Sequence, residues 1–457
     1  MTIDMTDPIP DLKSAVGPEL NSIYKTHLER VTQVYQNAAR QAGKDGVLIA
    51  SGALKNTFLD DQTYPFKVNP HFKACLPVTD VNDSYLLLRE DRKPLLLFYQ
   101  PEDYWHLPAE DPTGFWVDEW DIEPIKNVAD AHNHLGDTRS LAFIGEEIQQ
   151  PKDWGIDCTN DEAMLNSIHY ARAYKTDYEI ACLAHANNVA VRGHVAAEAA
   201  FREGMSEFEI QSAYLLAIGH REQQTPYSDI VALNDHCAVL HYQHYERIRH
   251  DEKNLHSLLI DAGASCNGYA ADITRTYAHR DGVFADLITA MNEAQLTLID
   301  DIEVGMDYTK LNFLMHQKLA LLLKQFSLIN MSIDEMVHKN ITFNFMPHGL
   351  GHFLGLQTHD VSGFQQSEKG GNVAAPENYP SLRLTRKIED RQVFTIEPGI
   401  YFIPMLLKQL QQGEDASKIN WPLIESLLPY GGIRIEDNIA MINGHTRNLT
   451  REAFTQL

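Results

Sequence analysis

Residues 258–274 read LLIDAGASCNGYAADIT, and this stretch is the sharpest local signal in the sequence. Its dipeptide Asn267-Gly268 is typical of a two-residue type I′ turn, and it lies between two strand-like runs. Because side chains alternate along a strand, a hairpin closed at this turn places Asp261 and Asp272 on one face as diagonal neighbours. The stretch therefore predicts a hairpin that carries two carboxylates on one face.

The register of this hairpin decides how close the two carboxylates come. A turn closed at the Asn-Gly dipeptide pairs Asp261 with Thr274 and Gly263 with Asp272. Like charges repel across a ladder, so the two aspartates require a compensating cation. An exposed polar hairpin is the alternative, and the apolar run before Asp261 argues against it. Two convergent carboxylates are suited to one or two hard divalent ions.

Two later strand-like segments also carry carboxylates. In VFTIEPG (393–399) a strand ends at Glu397 just before a Pro-Gly turn, and in GGIRIEDNI (431–439) Arg434 and Glu436 alternate with isoleucines. Each segment alone is more often an ordinary half-exposed strand. These carboxylates indicate a functional site only if other residues suited to metal binding or acid–base chemistry are found with them.

A histidine cluster accompanies them. The segment PHGLGHFLGLQTHD (347–360) contains His348, His352 and His359. Its glycines do not have dinucleotide-binding spacing, no phosphate-loop Lys-Ser/Thr follows, and the chain has no His-Glu-x-x-His helix. Three histidines beside carboxylate strands favour a metal or acid–base site. A further His-rich segment, HYQH at 241–244, is as readily a surface segment.

Composition sets limits on the function. The chain has 457 residues with 38 Lys+Arg and 63 Asp+Glu, so its formal net charge is −25, and its 44% hydrophobic content predicts globular cores. The acidic balance excludes a nucleic-acid binder that relies on a basic surface. The five cysteines are scattered, which argues against a disulfide framework and a thiolate zinc site. With no signal-peptide pattern and no apolar run near the ~18 residues of a membrane span, we expect a cytoplasmic protein.

The arrangement of helix and strand signals predicts a small α/β domain followed by a second domain. The first third alternates a helix over 24–42 with four short strands, and a polar stretch then indicates a boundary that gives domains 1–166 and 167–457. Capping boxes at Thr176 and Ser206 predict the starts of two helices. After residue 330 the pattern favours strands and glycine- and proline-rich loops.

A faint internal repeat is also present. Gly-Met-Ser at 204–206 and Gly-Met-Asp at 305–307 each precede a helical stretch, and a strand-rich section follows each. Three matching positions are weak evidence for duplicated halves, and chance similarity is the alternative explanation.

Taken together, these motifs resemble those of the pita-bread metallopeptidases. The resemblance lies in Asp261 and Asp272 on a hairpin, His352 in HGLGHFLGLQTHD, Glu397 in FTIEPG and Glu436 in GGIRIEDN. YPFKVNPHFKACLP at 64–77, YSDIVALN at 227–234 and LHY at 240–242 are similar to the bacterial prolidase branch, which includes organophosphorus acid anhydrolase. The resemblance implies an α/β (α+β) chain, with a creatinase-like N-terminal domain before a pseudo-symmetric pita-bread catalytic domain.

The resemblance also implies a dinuclear metal centre. Asp261 would bind one metal, His352 and Glu397 the other, and Asp272 with Glu436 both. The expected cofactor is two Mn²⁺ per subunit, although a donor set rich in oxygen with one imidazole also suits Co²⁺, Fe²⁺ or Zn²⁺. The expected activity is hydrolysis of Xaa-Pro dipeptides, with organophosphorus compounds as incidental substrates.

Roles for the remaining residues follow from the same resemblance. Glu397 would shuttle the proton, while His359 and His348 would hydrogen-bond the tetrahedral intermediate. Arg434 and His241 would hold the proline carboxylate. The resemblance implies that the substrate pocket is lined by Tyr227, His359, Thr358, Leu240, Tyr308 and Leu382.

The expected assembly is a homodimer in which an aspartate of one subunit closes the partner's site. The matching residue is Asp61, with Asp60 as a close alternative. Two other hydrolytic functions stay open: organophosphorus hydrolysis as the main activity, and aminopeptidase P activity on longer Xaa-Pro peptides. A non-catalytic pita-bread binding module is the remaining alternative, and the intact set of five ligand types argues against it.

Overall fold

The computed structural model describes residues 18–107 and 109–457. The first part of the chain contains one six-stranded mixed sheet, in the order β4-β3-β2-β1-β5-β6. Its strands are β1 (Gly46–Ala50), β2 (Tyr85–Arg89), β3 (Leu95–Tyr99), β4 (Asp121–Ile125), β5 (Leu141–Ile144) and β6 (Cys158–Thr159). The helices of this part are α1 (Pro18–Gln41), α2 (Pro70–Cys75), α3 (Gln149–Asp153) and α4 (Glu162–Arg172). The α/β character expected for this part is confirmed.

The second part contains eight helices and several short antiparallel sheets in the described chain. Its helices are α5 (Asp177–Arg202), α6 (Glu207–Ile218), α7 (Val283–Asp300), α8 (Tyr308–Gln325), α9 (Ile333–His338), α10 (Pro404–Gln412), α11 (Trp421–Leu427) and α12 (Leu449–Thr455). Its strands are β7 (Ile230–Leu233), β8 (Ser257–Asp261), β9 (Ser265–Cys266), β10 (Tyr269–Ala270), β11 (Thr274–Ala278), β12 (Gln365–Ser367), β13 (Gly370–Asn372), β14 (Val393–Ile396), β15 (Gly399–Tyr401), β16 (Gly432–Arg434), β17 (Asp437–Ile442) and β18 (His445–Asn448).

The hairpin predicted from residues 258–274 forms in the expected register. Both turn residues have left-handed backbone conformations, with φ of 50° at Asn267 and 86° at Gly268. Asp261 pairs with Thr274 in the β8–β11 ladder. A Cβ atom at Gly263 would lie 2.2 Å from the carbonyl oxygen of Ala271 on the opposite side of the hairpin. The close approach of the two sides of the hairpin therefore requires glycine at this position.

Both predicted capping boxes begin helices. The Thr176 hydroxyl accepts a hydrogen bond from the Glu179 backbone N–H at the start of α5, and the Glu179 carboxylate accepts one from the Thr176 N–H. The same reciprocal pair forms between Ser206 and Glu209 at the start of α6. These caps satisfy N–H groups that have no partner within a helix.

The expectation of strands and loops after residue 330 is wrong in part. Helices α9 to α12 all lie in this region. Helix α10 buries Leu407 and Leu410, so packing stabilises a helix too short to be stable alone. Helix α11 begins after Asn420, whose side chain accepts a hydrogen bond from the Leu423 N–H.

The two parts of the chain share a hydrophobic core. Leu28 of α1, Tyr178 and Leu183 of α5, and Leu354 belong to one buried cluster. Residue 166 lies inside α4, and the division into 1–166 and 167–457 stays a prediction.

Two further expectations concern cysteines and membranes. All five cysteines are free, and four of them are buried. Within the described residues, no helix combines the length and the hydropathy needed to cross a membrane.

Candidate metal centre

Five predicted ligand residues lie at strand ends or in loops of the second part. Asp261 is the last residue of β8, and Asp272 precedes β11. Glu397 lies between β14 and β15, and Glu436 lies between β16 and β17. His352 lies in the loop whose Phe353 forms a bridge with β14. Residues at strand ends can turn carboxylates inward while the ladders keep the backbone rigid.

The imidazole of His352 is surrounded by three of the carboxylates. Its Nε2 atom lies 3.3 Å from Asp272 Oδ2, 3.7 Å from Glu397 Oε1 and 4.0 Å from Glu436 Oε1. Ligand atoms of Asp272, His352 and Glu436 all lie within 4.8 Å of one another, in an arrangement that could hold a metal ion. The structure therefore brings four of the five predicted ligands together.

The orientation of His352 suits a metal ligand. Its Nδ1 atom lies 2.9 Å from the carbonyl oxygen of Phe353. A carbonyl only accepts hydrogen bonds, so Nδ1 carries a proton and Nε2 faces the carboxylates. The backbone N–H of His352 donates to Thr395 Oγ1, which fixes the loop.

Burial makes the charges of this cluster costly. It raises the pKa of Glu397 to about 7, and it raises the pKa of Glu436 well above its ordinary value. Burial also acts to raise the pKa of Asp272, but its hydrogen bond and charge interaction with His352 hold that pKa below the ordinary value. Buried carboxylates at this separation repel each other unless cations accompany them. An oxygen-rich set with one imidazole fits divalent ions of the Mn²⁺ to Zn²⁺ series.

Asp261 makes different contacts from the other four. Its Oδ1 atom accepts a hydrogen bond from the Tyr227 hydroxyl at 2.8 Å, and its Oδ2 atom accepts one from Arg434 at 2.6 Å. Asp261 therefore borders the cluster, and each of its oxygens keeps a lone pair beyond the one hydrogen bond that it accepts.

Arg434 is buried and connects several site residues. In addition to its bond to Asp261, it donates to the Tyr401 hydroxyl at 2.8 Å and to Thr274 Oγ1 at 3.2 Å. The Thr274 hydroxyl in turn donates to Glu436 at 2.7 Å. Thr274 and Tyr401 were not predicted as site residues. The hairpin register offered a signal for Thr274, because it is the partner of Asp261.

The other two histidines of segment 347–360, His348 and His359, lie beside the metal cluster and the hydrogen bonds of Arg434. His348 Nε2 lies 3.0 Å from the Tyr401 hydroxyl, and its Nδ1 lies 3.6 Å from Glu397. Burial, together with the nearby charge of Arg434, lowers the pKa of His348 to about 3. The ring of His359 lies 4.4 Å from that of His352, and His359 is exposed.

The residues predicted to bind substrate differ in exposure. Tyr227, Leu240 and Thr358 are half-buried, and His241 is exposed. Tyr308 and Leu382 are only 0% and 1% exposed, and the Tyr308 hydroxyl donates to the Thr395 carbonyl, so these two lie in the core beneath the site.

The two aspartates predicted to close the partner's site lie in the first part of the chain, between β1 and α2. Asp60 and Asp61 are exposed on a loop closed by a bridge between Asn56 and Thr63. The carboxylates of Asp60 and Asp61 both accept hydrogen bonds from Gln62 of the same loop.

Comparison with known proteins supports this assignment. The model of the Xaa-Pro dipeptidase N-terminal domain matches residues 22–170, and that of metallopeptidase family M24 matches residues 181–443. The chain is 48% identical to an Xaa-Pro dipeptidase of Aeromonas hydrophila and to one of Pectobacterium carotovorum. Each match covers 95% of this chain and 99% of the relative.

Solved structures show the same fold. Zn-substituted Escherichia coli aminopeptidase P in complex with product matches with a TM-score of 0.71 at 19% identity, over 94% of this chain and 95% of that one. Pseudomonas aeruginosa aminopeptidase PepP matches with a TM-score of 0.70 at 18% identity, over 93% and 95%. With family models and full-length relatives in agreement, the chain belongs to metallopeptidase family M24 and, within it, to the bacterial Xaa-Pro dipeptidases.

Proposed function

We propose that this protein is a dinuclear metal-dependent dipeptidase that hydrolyses Xaa-Pro dipeptides. The observation that carries the proposal is the buried cluster of His352 with three carboxylates, next to the buried guanidinium of Arg434. Full-length similarity to proteins named Xaa-Pro dipeptidase supports the choice of substrate.

The proposed ligands divide between two metal sites. Asp261 would hold one ion, His352 and Glu397 the other, and Asp272 with Glu436 both. Two divalent ions offset four carboxylate charges, and the proposed native metal is Mn²⁺, with Co²⁺, Fe²⁺ or Zn²⁺ as substitutes. When bound, such ions supply Lewis acidity and lower the pKa of a water molecule.

Glu397 is the proposed proton carrier. It would take a proton from the attacking water and deliver it to the imide nitrogen of the leaving proline. His359 and His348 would hydrogen-bond the tetrahedral intermediate. The contact between His348 and the Tyr401 hydroxyl would orient the His348 imidazole.

Recognition of the proline residue is assigned to charged groups. The bond before proline has no N–H, so a strand-binding mode cannot recognise it. Arg434 and His241 would instead bind the proline carboxylate. Three of the five N–H groups of Arg434 donate to Asp261, Tyr401 and Thr274, which leaves two for a ligand.

The shape of the pocket is assigned to the other predicted residues. Tyr227, His359 and Thr358 would line the side of the N-terminal residue. Leu240, Tyr308 and Leu382 would line the other side, where Tyr308 and Leu382 are almost fully buried.

The proposed assembly is a homodimer. Asp61, or its neighbour Asp60, would reach the partner's site and limit substrates to dipeptides. The same loop exposes Phe58 and Leu59, at 87% and 90%, and a partner subunit would cover these apolar side chains. A creatinase-like domain over 1–166, a catalytic domain over 167–457 and a cytoplasmic location complete the proposal. Free cysteines are usual in a reducing compartment.

A substrate comparison tests the proposed function. Purified protein with added Mn²⁺ is assayed on a Leu-Pro dipeptide, an Xaa-Pro-Yaa tripeptide and a fluorophosphonate. We expect the dipeptide to have the highest kcat/KM and the fluorophosphonate to be an incidental substrate. Preference for the tripeptide would favour aminopeptidase P activity, and preference for the fluorophosphonate would favour organophosphorus hydrolysis. Absence of hydrolysis and of bound metal would favour a binding module.

A further inference from the structure

Glu207 makes an unusually complete set of contacts outside the metal centre. It lies in the first turn of α6 and is 1% exposed. Its Oε1 atom accepts hydrogen bonds from the Leu233 N–H and from His236 Nδ1, both at 2.8 Å. Its Oε2 atom accepts from the Tyr242 hydroxyl and from the Glu246 N–H, both at 2.7 Å. Four donors therefore converge on one buried carboxylate.

All four donors belong to one stretch of chain, residues 233–246, which we name the 233–246 segment. It begins at the end of β7, and after a short 3-10 turn it has no helix or strand. Beyond Leu233, which pairs with Leu258 in the β7–β8 ladder, the segment belongs to no ladder, so side chains must help to fix its backbone. Glu207 bonds to both ends of the segment, at Leu233 and Glu246, and to two side chains between them.

The 233–246 segment carries two of the proposed substrate-binding residues, Leu240 and His241. Tyr242, the neighbour of His241, is 6% exposed and stacks on His236 with ring centroids 4.5 Å apart. Tyr242 is thus held by a hydrogen bond to Glu207 and by stacking, whereas His241 is exposed. Fixing one residue of a chain restricts the position of the next.

We propose that Glu207 is a positioning residue that holds the 233–246 segment so that His241 can bind the proline carboxylate. The inference rests on the proposed dipeptidase function and deepens it by naming the group that sets carboxylate recognition. The carboxylate also suits its place in the first turn of α6, where the helix dipole favours negative charge.

The variant Glu207→Gln tests the role with little change in shape. Each oxygen of Glu207 accepts a backbone N–H, from Leu233 on one side and Glu246 on the other. An amide has only one oxygen, so either orientation of the glutamine leaves one N–H facing an NH₂ group. The segment should therefore shift even though the side chain has the same size.

The matched control is Glu209→Gln in the same helical turn. Glu209 accepts hydrogen bonds from Arg249, which lies outside the 233–246 segment, and from the Ser206 N–H. Glutamine at this position can still complete the capping box. The control therefore changes charge at the start of α6 without loosening the segment.

Kinetics on two substrates separate positioning from a general structural effect. Wild-type, Glu207→Gln and Glu209→Gln proteins are loaded with Mn²⁺ and assayed on Leu-Pro and on Leu-Pro amide, which lacks the carboxylate. For Glu207→Gln we expect KM for Leu-Pro to rise by about tenfold, with kcat within about threefold of wild type. The KM for the amide and the metal content should not change, because neither depends on His241. Glu209→Gln should match wild type on both substrates.

An equal change on both substrates, or none on either, would overturn the inference while leaving the dipeptidase function intact. Failure of the wild-type protein to hydrolyse Leu-Pro would instead reject the proposed function, and the role of Glu207 with it. If Glu207→Gln does not fold, Tyr242→Phe decides, since it removes one donor and keeps the carboxylate. We then expect the preference of Tyr242→Phe for acid over amide to fall by about threefold, and an unchanged preference would overturn the inference.

Discussion

The Nε2 atom of His352 lies 3.3 Å from Oδ2 of Asp272, and both side chains are buried. Glu397 and Glu436 lie within 4.0 Å of the same nitrogen. A single imidazole cannot offset three buried carboxylates, so the arrangement requires added positive charge. The predictions that follow test this centre and the contacts that support it.

The first prediction concerns proton transfer by Glu397. Glu397→Gln keeps the side-chain size but cannot carry a proton between water and the leaving nitrogen. We expect kcat on Leu-Pro to fall by about a hundredfold or more, with some metal still bound. Steady-state kinetics and metal analysis measure the two effects separately. Glu425→Gln, at an exposed position of α11, is the control. Wild-type kcat in Glu397→Gln would contradict the assignment.

The second prediction concerns the buried ion pairs of Asp360, which follows His359. Its carboxylate accepts from Arg172 at 2.6 Å and from Lys175 at 2.9 Å, and all three side chains are at most 8% exposed. Asp360→Asn leaves two buried cations without a counter-charge, so we expect a loss of about 3–5 kcal/mol in the free energy of unfolding.

Urea denaturation measures this loss, and Asp177→Asn is the matched control. The Asp177 carboxylate also pairs with an arginine, Arg391, at 2.6 Å, but it is 74% exposed. We expect the control to lose less than about 1 kcal/mol. Similar losses in the two variants would show that burial of the Asp360 pairs has no special effect.

The third prediction concerns the pH dependence of stability. His71 Nε2 lies 3.2 Å from His169 Nε2 where α2 meets α4. Burial, together with the charge of Arg172, lowers the pKa of His169 to about 4 and that of His71 well below its ordinary value. Both imidazoles are therefore neutral in the fold, and the unfolded chain binds more protons below its pKa of about 6.5.

Stability from this pair should be complete above about pH 6.5 and decrease as the pH falls toward about 4. His169→Gln removes one titrating group, so its unfolding free energy should fall less steeply in this range, by on the order of 2 kcal/mol. Denaturation midpoints measured from pH 7 to 4 give the comparison, with His338→Gln at an exposed position as the control. Parallel pH profiles of wild type and His169→Gln would contradict the prediction.

The fourth prediction concerns close packing in the ligand hairpin. A Cβ atom at Gly263 would lie 2.2 Å from the Ala271 carbonyl oxygen and 2.9 Å from the Tyr227 ring. Gly263→Ala should therefore push apart the two sides of the hairpin, lower the free energy of unfolding by about 3 kcal/mol and weaken metal binding. Gly305→Ala is the control, because it meets no atom within 4 Å and adds only about 1 kcal/mol of backbone strain at φ of 91°. Equal losses in stability, with unchanged metal affinity, would contradict this account.

Features set by neighbouring residues could be predicted from the sequence. The Asn267-Gly268 turn and strict alternation fixed the pairing of Asp261 with Thr274. The capping boxes at Thr176 and Ser206 likewise depend on residues three positions apart. Helices α10 and α11 were missed because each is only nine or seven residues long, and packing rather than periodicity stabilises it.

The residue types of the candidate site could be predicted, but several contacts could not. Tyr401 and Thr274 contact Arg434 only because β8, β11, β15 and β16 meet, which is a tertiary property. The bond between Arg434 and Asp261 joins residues of separate sheets, so no local pattern indicates it. The burial of Tyr308, whose hydroxyl donates to the Thr395 carbonyl, likewise depends on packing.

Metal content and Leu-Pro hydrolysis, measured for wild type and Asp272→Asn, show whether this cluster is the catalytic metal centre. Asp272 lies beside His352 and is proposed to hold both ions, so removing its charge should remove metal and activity together. We predict two divalent ions per wild-type chain, with Mn²⁺-stimulated hydrolysis. For Asp272→Asn we predict loss of at least one ion and a fall in kcat/KM of about a hundredfold or more. Wild-type metal content and wild-type turnover in Asp272→Asn would contradict the assignment of this cluster as the catalytic metal centre.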